Sequence, residues 1–209
     1  YGLERYAEAE AEYRRCTELL PQDAASFAGL GDALAKLGRS AEAIAAYDRA
    51  LQLDAEQPLV WVSLGLLYEA GRDWAQAEQA YAQAARLAPD NALTRSAHAR
   101  ALWQLNRIAE AVAEAEAAAR LAPNDPTYPE SLALGYASLN QLDQARAAAE
   151  ATLKLNPQSA IAHLILGGIA EDRGDTATAR AEYQLALQYA GENAGLKQLA
   201  EQGLARVGE

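Results

Sequence analysis

Between residues 58 and 91 the chain reads PLVWVSLGLLYEAGRDWAQAEQAYAQAARLAPDN, and its apolar positions recur at helical spacing. Trp61, Leu64, Gly65 and Tyr68 fall at offsets of three, four and seven, which is one face of an α-helix. Gly71, Arg72 and Asp73 interrupt that pattern, and Asp73 is placed to cap a second helix, with Gln76 three residues on to reach back. In the second helix Ala77, Tyr81, Ala84, Ala85 and Leu87 share one side, and Pro89 ends it. Small residues (Gly65, Ala77, Ala84) set against large ones (Trp61, Tyr68, Tyr81) let the two backbones approach. Two helices cannot bury both faces of such a pair, so the unit requires neighbours.

The neighbours lie at a fixed period of 34 residues. One column runs Leu30, Leu64, His98, Leu132, Leu166, and the next Gly31, Gly65, Ala99, Ala133, Gly167. A third is alanine throughout: Ala9, Ala43, Ala77, Ala111, Ala145, Ala179. An aromatic column runs Tyr13, Tyr47, Tyr81, Ala115, Ala149, Tyr183, and a terminating one Pro21, Ala55, Pro89, Pro123, Pro157, Gly191. No insertion or deletion is needed from residue 6 to residue 191.

With W-x-x-L-G-x-x-Y at 61–68, a small residue at Ala77, an aromatic at Tyr81 and a proline at Pro89, the chain resembles a tetratricopeptide-repeat array. The resemblance covers nearly the whole chain. It implies an all-α fold, a right-handed α-solenoid of antiparallel helix pairs forming a superhelix of about twelve helices. Residues 1–23 read as the second helix of a truncated repeat, followed by repeats at 24–57, 58–91, 92–125, 126–159 and 160–193 and a capping helix at 194–209. Repeat 92–125 is degenerate, with Arg95 for Trp, His98 for Leu and Ala115 for Tyr. So is 126–159, with Pro129 in the Trp column and Ala149 in the aromatic one. Pro126 and Pro129 both fall in a first helical turn, where no backbone N–H is needed. Trp103 and Tyr128 are expected to fill the space these repeats lose. The first helix, 3–20, carries Tyr6, Ala9, Tyr13, Cys16 and Leu19 on a side with no partner in the chain, and the last stripe runs Leu196, Leu199, Ala200, Leu204, Val207.

Composition narrows the function. The net charge of −11, with 18 Lys plus Arg, argues against a phosphate-backbone partner and describes a solvated acidic surface. A lone Cys16, aligned with Ala50 and Ala84, reads as a buried small hydrophobe. The longest apolar runs are too short to span a bilayer, and no signal-like stretch opens the chain; a cytoplasmic setting is favoured, with a periplasmic one as the alternative. There is no methionine, which is read as an excised or processed part of a longer protein.

No catalytic chemistry emerges. His98 and His163 sit in packing columns without the Cys or carboxylate spacing of a zinc site. Neither phosphate-loop nor nucleophile-elbow nor H-E-x-x-H patterns occur. Glu8, Glu10 and Glu12 lie on exposed faces, and Arg173-Gly174-Asp175 reads as an inter-helix turn and cap. No catalytic residue, metal or cofactor is expected.

The resemblance implies that the first helix of each repeat lines a concave surface where partners bind. Carried over by column, that lining includes Leu59, Leu93 and Ile161, then Val62, Ser96, Glu130 and Leu164, then Asp32, Leu66, Arg100 and Leu134. Deeper positions are Ala35, Glu69, Trp103 and Glu171, then Lys36. The Lys and Asn pattern with which some members clamp a C-terminal carboxylate is absent, since Ala28, Asp32, Val62 and Leu66 stand there. Independently, the helices at 59–68 and 161–169 are apolar nearly all round, so each is buried on every side or awaits a partner. The expected function is a non-catalytic scaffold that holds an amphipathic helix or apolar peptide. Alternatives are an array that self-associates as a homo-oligomer, and the repeat arm of a larger enzyme or secretion or assembly machine. The partner is a protein or peptide, with neither nucleic acid nor membrane insertion.

Overall fold

A computed structural model of the protein describes residues 2–208, and among these the chain forms twelve α-helices and no strand. They are α1 (Gly2–Leu19), α2 (Ala24–Lys36), α3 (Ser40–Leu53), α4 (Pro58–Ala70), α5 (Trp74–Leu87), α6 (Ala92–Gln104), α7 (Ile108–Leu121), α8 (Thr127–Ser138), α9 (Leu142–Leu155), α10 (Ala160–Asp172), α11 (Thr176–Tyr189) and α12 (Ala194–Arg206). The chain divides into two compact units, Tyr1–Leu105 and Asn106–Glu209. In the first, α2 packs on α3 and α4 on α5, with α1 against α2 and α6 against α5. In the second, α8 packs on α9 and α10 on α11, α7 lies against α8, and α12 touches both α10 and α11.

Local chemistry sets the helix ends. Asp73 caps α5 by accepting the Gln76 N–H at 3.2 Å, and Asp23 caps α2 by accepting that of Ser26 at 3.0 Å. Such a side chain satisfies one of the amides that a helix leaves unpaired. Between paired helices a left-handed residue recurs every 34 positions: Gly38, Arg72, Asn106, Asn140 and Gly174, with φ from 58° to 76°. Glycine and asparagine tolerate this conformation. Gly71 keeps a helical φ of −79° at the end of α4, so the breaker that its residue type suggested lies one position on, at Arg72. The following N–H reaches back five residues to close the turn, as in Asp73 to the Tyr68 carbonyl at 2.9 Å and Asp175 to Ala170 at 2.9 Å.

The core is built from one recurring joint. Tyr47, Tyr81 and Tyr183 are buried, each lying flat on a glycine of the preceding helix. A β-carbon at Gly31, Gly65 or Gly167 would stand only 2.5, 2.6 or 2.7 Å from those rings. The alanine column packs as its invariance suggests, with Ala43, Ala77, Ala145 and Ala179 fully buried.

The tryptophan column behaves more regularly than its residue types. Trp61 Nε1 donates to the Ala55 carbonyl at 2.9 Å, Arg95 Nε to that of Pro89 at 2.7 Å, and His163 Nε2 lies 3.2 Å from that of Pro157. Each bond spans six residues, so Arg95 and His163 keep the tether to the loop while replacing the ring. In the degenerate stretch Tyr128 is buried and Trp103 half-buried. Tyr136 supplies a further ring, its hydroxyl donating to Glu116 at 2.5 Å.

Two expectations change. Cys16 is half-buried rather than buried, and Tyr6 and Tyr13 on the same helix stay partly exposed. Leu199 is exposed, and α12 instead meets the core through Ala200, Gly203 and Val207. Tyr183 requires a residue without a side chain opposite it, and Gly203 is that residue: a β-carbon there would come within 2.6 Å of the ring.

The joint makes a testable distinction between glycines. Gly65→Ala is expected to lower the thermal unfolding midpoint, because overpacking an immobile buried ring costs about 1–3 kcal/mol against the ~1 kcal/mol that alanine returns in helix propensity. Gly71→Ala, whose new β-carbon meets only backbone oxygens at 3.5 Å, is expected to leave the midpoint unchanged or raise it.

Candidate functional site

In the first unit, α4 buries Val60, Leu64 and Gly65 and turns its other side to solvent. There Leu59 is 75% and Leu66 51% exposed, with Val62 half-buried between them; the three sit at offsets of three and seven, one face of the helix. On α6, Thr94, Ala97 and Ala101 are buried. Leu93 is 74% exposed, Ser96 and Trp103 are half-buried, and Arg100 is exposed. These leucines are not surplus core residues, since each helix has a separate buried side.

Arg100 is not a free polar handle. Its guanidinium grips Glu69 of α4 with two bonds, Nε to Oε1 at 2.7 Å and Nη2 to Oε2 at 2.8 Å, while the Tyr81 hydroxyl donates to the same carboxylate at 2.6 Å. Burial pushes the Glu69 carboxyl up, but the hydrogen bonds from Arg100 and Tyr81 outweigh it and leave it below its ordinary value. The bridge ties α6 to the Leu66 side of α4 and neutralises both charges.

The second unit repeats this device. The Tyr183 hydroxyl donates to Glu171 at 2.5 Å, and Arg206 closes on that carboxylate through Nε at 2.6 Å and Nη2 at 2.9 Å. Burial first, then the Glu171 carboxylate, push the Tyr183 phenol up to about 12. The Arg206 hydrogen bond foremost, then that of Tyr183, hold the Glu171 carboxyl below its ordinary 4.5. Among the other expected lining residues here, Leu134 is 37% exposed and Ile161 half-buried. Glu130 is tied by the Ser159 hydroxyl to the start of α10, and Leu164 packs against the core cluster of Ala170, Ala179, Tyr183 and Val207.

One feature of the first unit went unanticipated. A cleft of about 570 Å³ is lined by Tyr6, Ala9 and Tyr13 of α1, Gly29, Asp32, Ala35 and Lys36 of α2, Tyr47, Ser63 and Leu66, together with Ala33 and Leu67. Asp32, Ala35, Lys36 and Leu66 belong to the columns expected to line a groove; the tyrosines of α1 were read only as an uncovered side. The signal available was Tyr13's place in the aromatic column. Among the described residues, no group of three or more His, Cys, Asp or Glu side chains is placed to hold a metal. Among the described residues no helix is long and apolar enough to cross a membrane.

The family signature described as tetratricopeptide repeat matches residues 62–126 and 131–194, and a second, described as TPR repeat, matches 31–71. The chain belongs to the tetratricopeptide-repeat (TPR) family. No curated protein matches it in sequence. Among solved structures it is similar to YrrB, described as a TPR protein with an unusual peptide-binding site, at 20% identity over 91% of this chain and 97% of that one, with a TM-score of 0.81. It is similar to pilF of Pseudomonas aeruginosa at 20% identity over 95% and 90%, TM-score 0.71. It also resembles MamA from Desulfovibrio magneticus RS-1 at 19% identity over 79% and 94%, TM-score 0.70. At these identities the likeness is one of fold. The TPR fold is a protein–protein interaction scaffold, and TPR proteins are generally non-catalytic.

The Glu171 bridge predicts a pH dependence. A carboxyl held below its unfolded value stabilises the fold above that value, and the contribution is lost as pH falls through the lowered one. Glu171→Gln should therefore flatten the acid limb of a stability-against-pH curve below about pH 4.5. The change should stay under about 1 kcal/mol because Arg206 is largely solvated. Urea unfolding at a series of pH values measures it.

Proposed function

We propose that this TPR protein is a binding scaffold that takes an amphipathic helix or an extended apolar peptide on the α4 and α6 face of its first unit. The observation that carries this reading is the exposure of Leu59, Leu66 and Leu93 on helices whose other sides are packed. Exposed apolar residues grouped on one face tend to mark interaction sites. The description of YrrB as peptide-binding supports the same class of ligand. Within the second unit, taken by itself, Leu134 is exposed and Ile161 half-buried, while Glu130 and Leu164, also expected in the groove, are engaged within the fold. With Arg100 and Glu69 paired, selectivity rests on shape and apolar spacing more than on charge. A net charge of −11 argues for a protein or peptide and against nucleic acid.

Magnitudes bound the affinity. Three leucine anchors contribute roughly 1.5–3 kcal/mol each, against an association cost of ~4–15 kcal/mol. The margin is at most about 5 kcal/mol, so a single short segment binds no more tightly than roughly 0.2 mM, and a preorganised helix binds more tightly.

Leu59→Glu combined with Leu93→Glu is expected to weaken capture of a fluorescent leucine-rich amphipathic peptide by at least about tenfold, with the circular dichroism spectrum unchanged. Undiminished binding by the double variant refutes the reading. The second reading, association of copies, is favoured by exposed Leu3 and Leu19 on α1 and Leu20 just after it; a sedimentation profile that stays monomeric across concentrations rules it out.

A further inference from the structure

The short connections at 71–73 and 88–91 set α4 and α6 antiparallel to α5, which both contact, and so parallel to each other. Leu59 and Leu93 therefore stand at the same end of their shared face, each in a first helical turn. Glu69 and Arg100 stand towards the other end, where their bridge cancels both charges. The first end has no such balance. Residues 54–61 and 88–95 hold Asp54, Glu56 and Asp90 against a single base, Arg95, whose Nε is turned to the Pro89 carbonyl at 2.7 Å. Glu56 and Asp90 are exposed, and among the described residues neither enters an ion pair. Roughly half a positive charge at each helix N-terminus offsets part of this excess and leaves the end negative.

Position ties these acids to the leucines. Glu56 stands three residues before Leu59, and Asp90 three before Leu93; three residues of chain span at most about 11 Å. That is close to the Debye length of about 8 Å at physiological salt, so both carboxylates act on whatever covers the leucines. Under an acidic or neutral partner they would lose water and gain no counter-charge. A cation on the partner supplies it. On a helix the place for that cation is the last turn, where lysine and arginine also complement the helix's own negative end. A helix running antiparallel to α4 and α6 brings its last turn to this end of the face.

Resting on the reading of this face as a groove for an amphipathic helix, we propose that it selects one of stated charge and direction. The selected helix runs antiparallel to α4 and α6 and carries lysine or arginine in its last turn, beside Glu56 and Asp90. The leucines keep the larger share of the affinity, and the charges decide which leucine-bearing helix is taken and which way round.

Three labelled synthetic peptides test this. All share one leucine-bearing sequence held helical by the same lactam bridge, and they carry lysines in the last turn, lysines in the first turn, or glutamines at both places. Each is titrated with the 209-residue protein by fluorescence anisotropy. At low salt the last-turn peptide should bind about three- to tenfold more tightly than the other two. That advantage should fade in about 1 M salt, where the Debye length is about 3 Å. Glu56→Gln with Asp90→Asn, both in exposed loops, should remove most of it, and Leu59→Glu with Leu93→Glu should weaken all three peptides together. The proposal falls while the groove reading stands if the wild type holds all three equally, if the first-turn peptide is the tightest, or if the advantage survives Glu56→Gln with Asp90→Asn undiminished. Both fall if no peptide binds, or if all bind the leucine variant undiminished. A dimer in sedimentation that Leu59→Glu with Leu93→Glu disperses would give the face to a second copy and overturn the proposal.

Discussion

A tyrosine ring lying flat on a residue that has no side chain is the contact from which the rest of this molecule follows. At Gly31, Gly65 and Gly167 the ring takes the space a β-carbon would need, which brings the two helix backbones close and buries a large aromatic surface against the main chain. A phenol buried this way must still satisfy its hydroxyl. Asp32, Glu69 and Glu171 supply the acceptors at 2.5–2.6 Å. A carboxylate drawn inward in turn needs a positive partner, and at Glu69 and Glu171 it comes from a later helix, Arg100 or Arg206. One packing requirement thus propagates from glycine to ring, from ring to carboxylate, and from carboxylate to the next hairpin.

Where the ring is lost, its seat changes with it. Around α8 and α9 the pair is Ala133 and Ala149, both fully buried, in place of glycine and tyrosine. The volume is made up by Leu132, Tyr136, Leu153, Ile165 and Leu166 packed around them, and the phenol needed to satisfy polar groups reappears at Tyr136, bonded to Glu116. Matched replacement of both members preserves close packing. The same economy of role over residue type holds in the tryptophan column, where an indole, a guanidinium and an imidazole each reach the carbonyl six residues back.

These constraints leave a particular surface for partners. Carboxylates and guanidinium groups on the groove floor are consumed by the bridges, so the α4 and α6 face is left with leucines that no internal contact requires. The α1 end differs: its Tyr13 ring meets Gly29 of the following helix and stays 39% exposed beside the cleft.

The 34-residue period, the alanine column, the cap at Asp73 and the alternation of helix and turn were legible in the amino-acid sequence, because each depends on contacts between residues close along the chain or on the steric limits of a single position. The columns that hold Leu59, Val62, Leu66 and Leu93 came from the family resemblance instead, since the helix at 59–68 is apolar nearly all round and its periodicity alone does not separate two faces. Other features depended on packing across helices. Arg100 was placed only as a lining residue, and its partner Glu69, distant in sequence by nearly a full repeat, came within 2.7 Å in the fold. Leu199 belonged to the apolar stripe of α12, yet the helix turned to place Gly203 on Tyr183, because a buried ring tolerates only the residue without a side chain. Only the tertiary structure could decide these, since both answers lie in how one helix's shape meets the next, which no spacing along a single helix encodes.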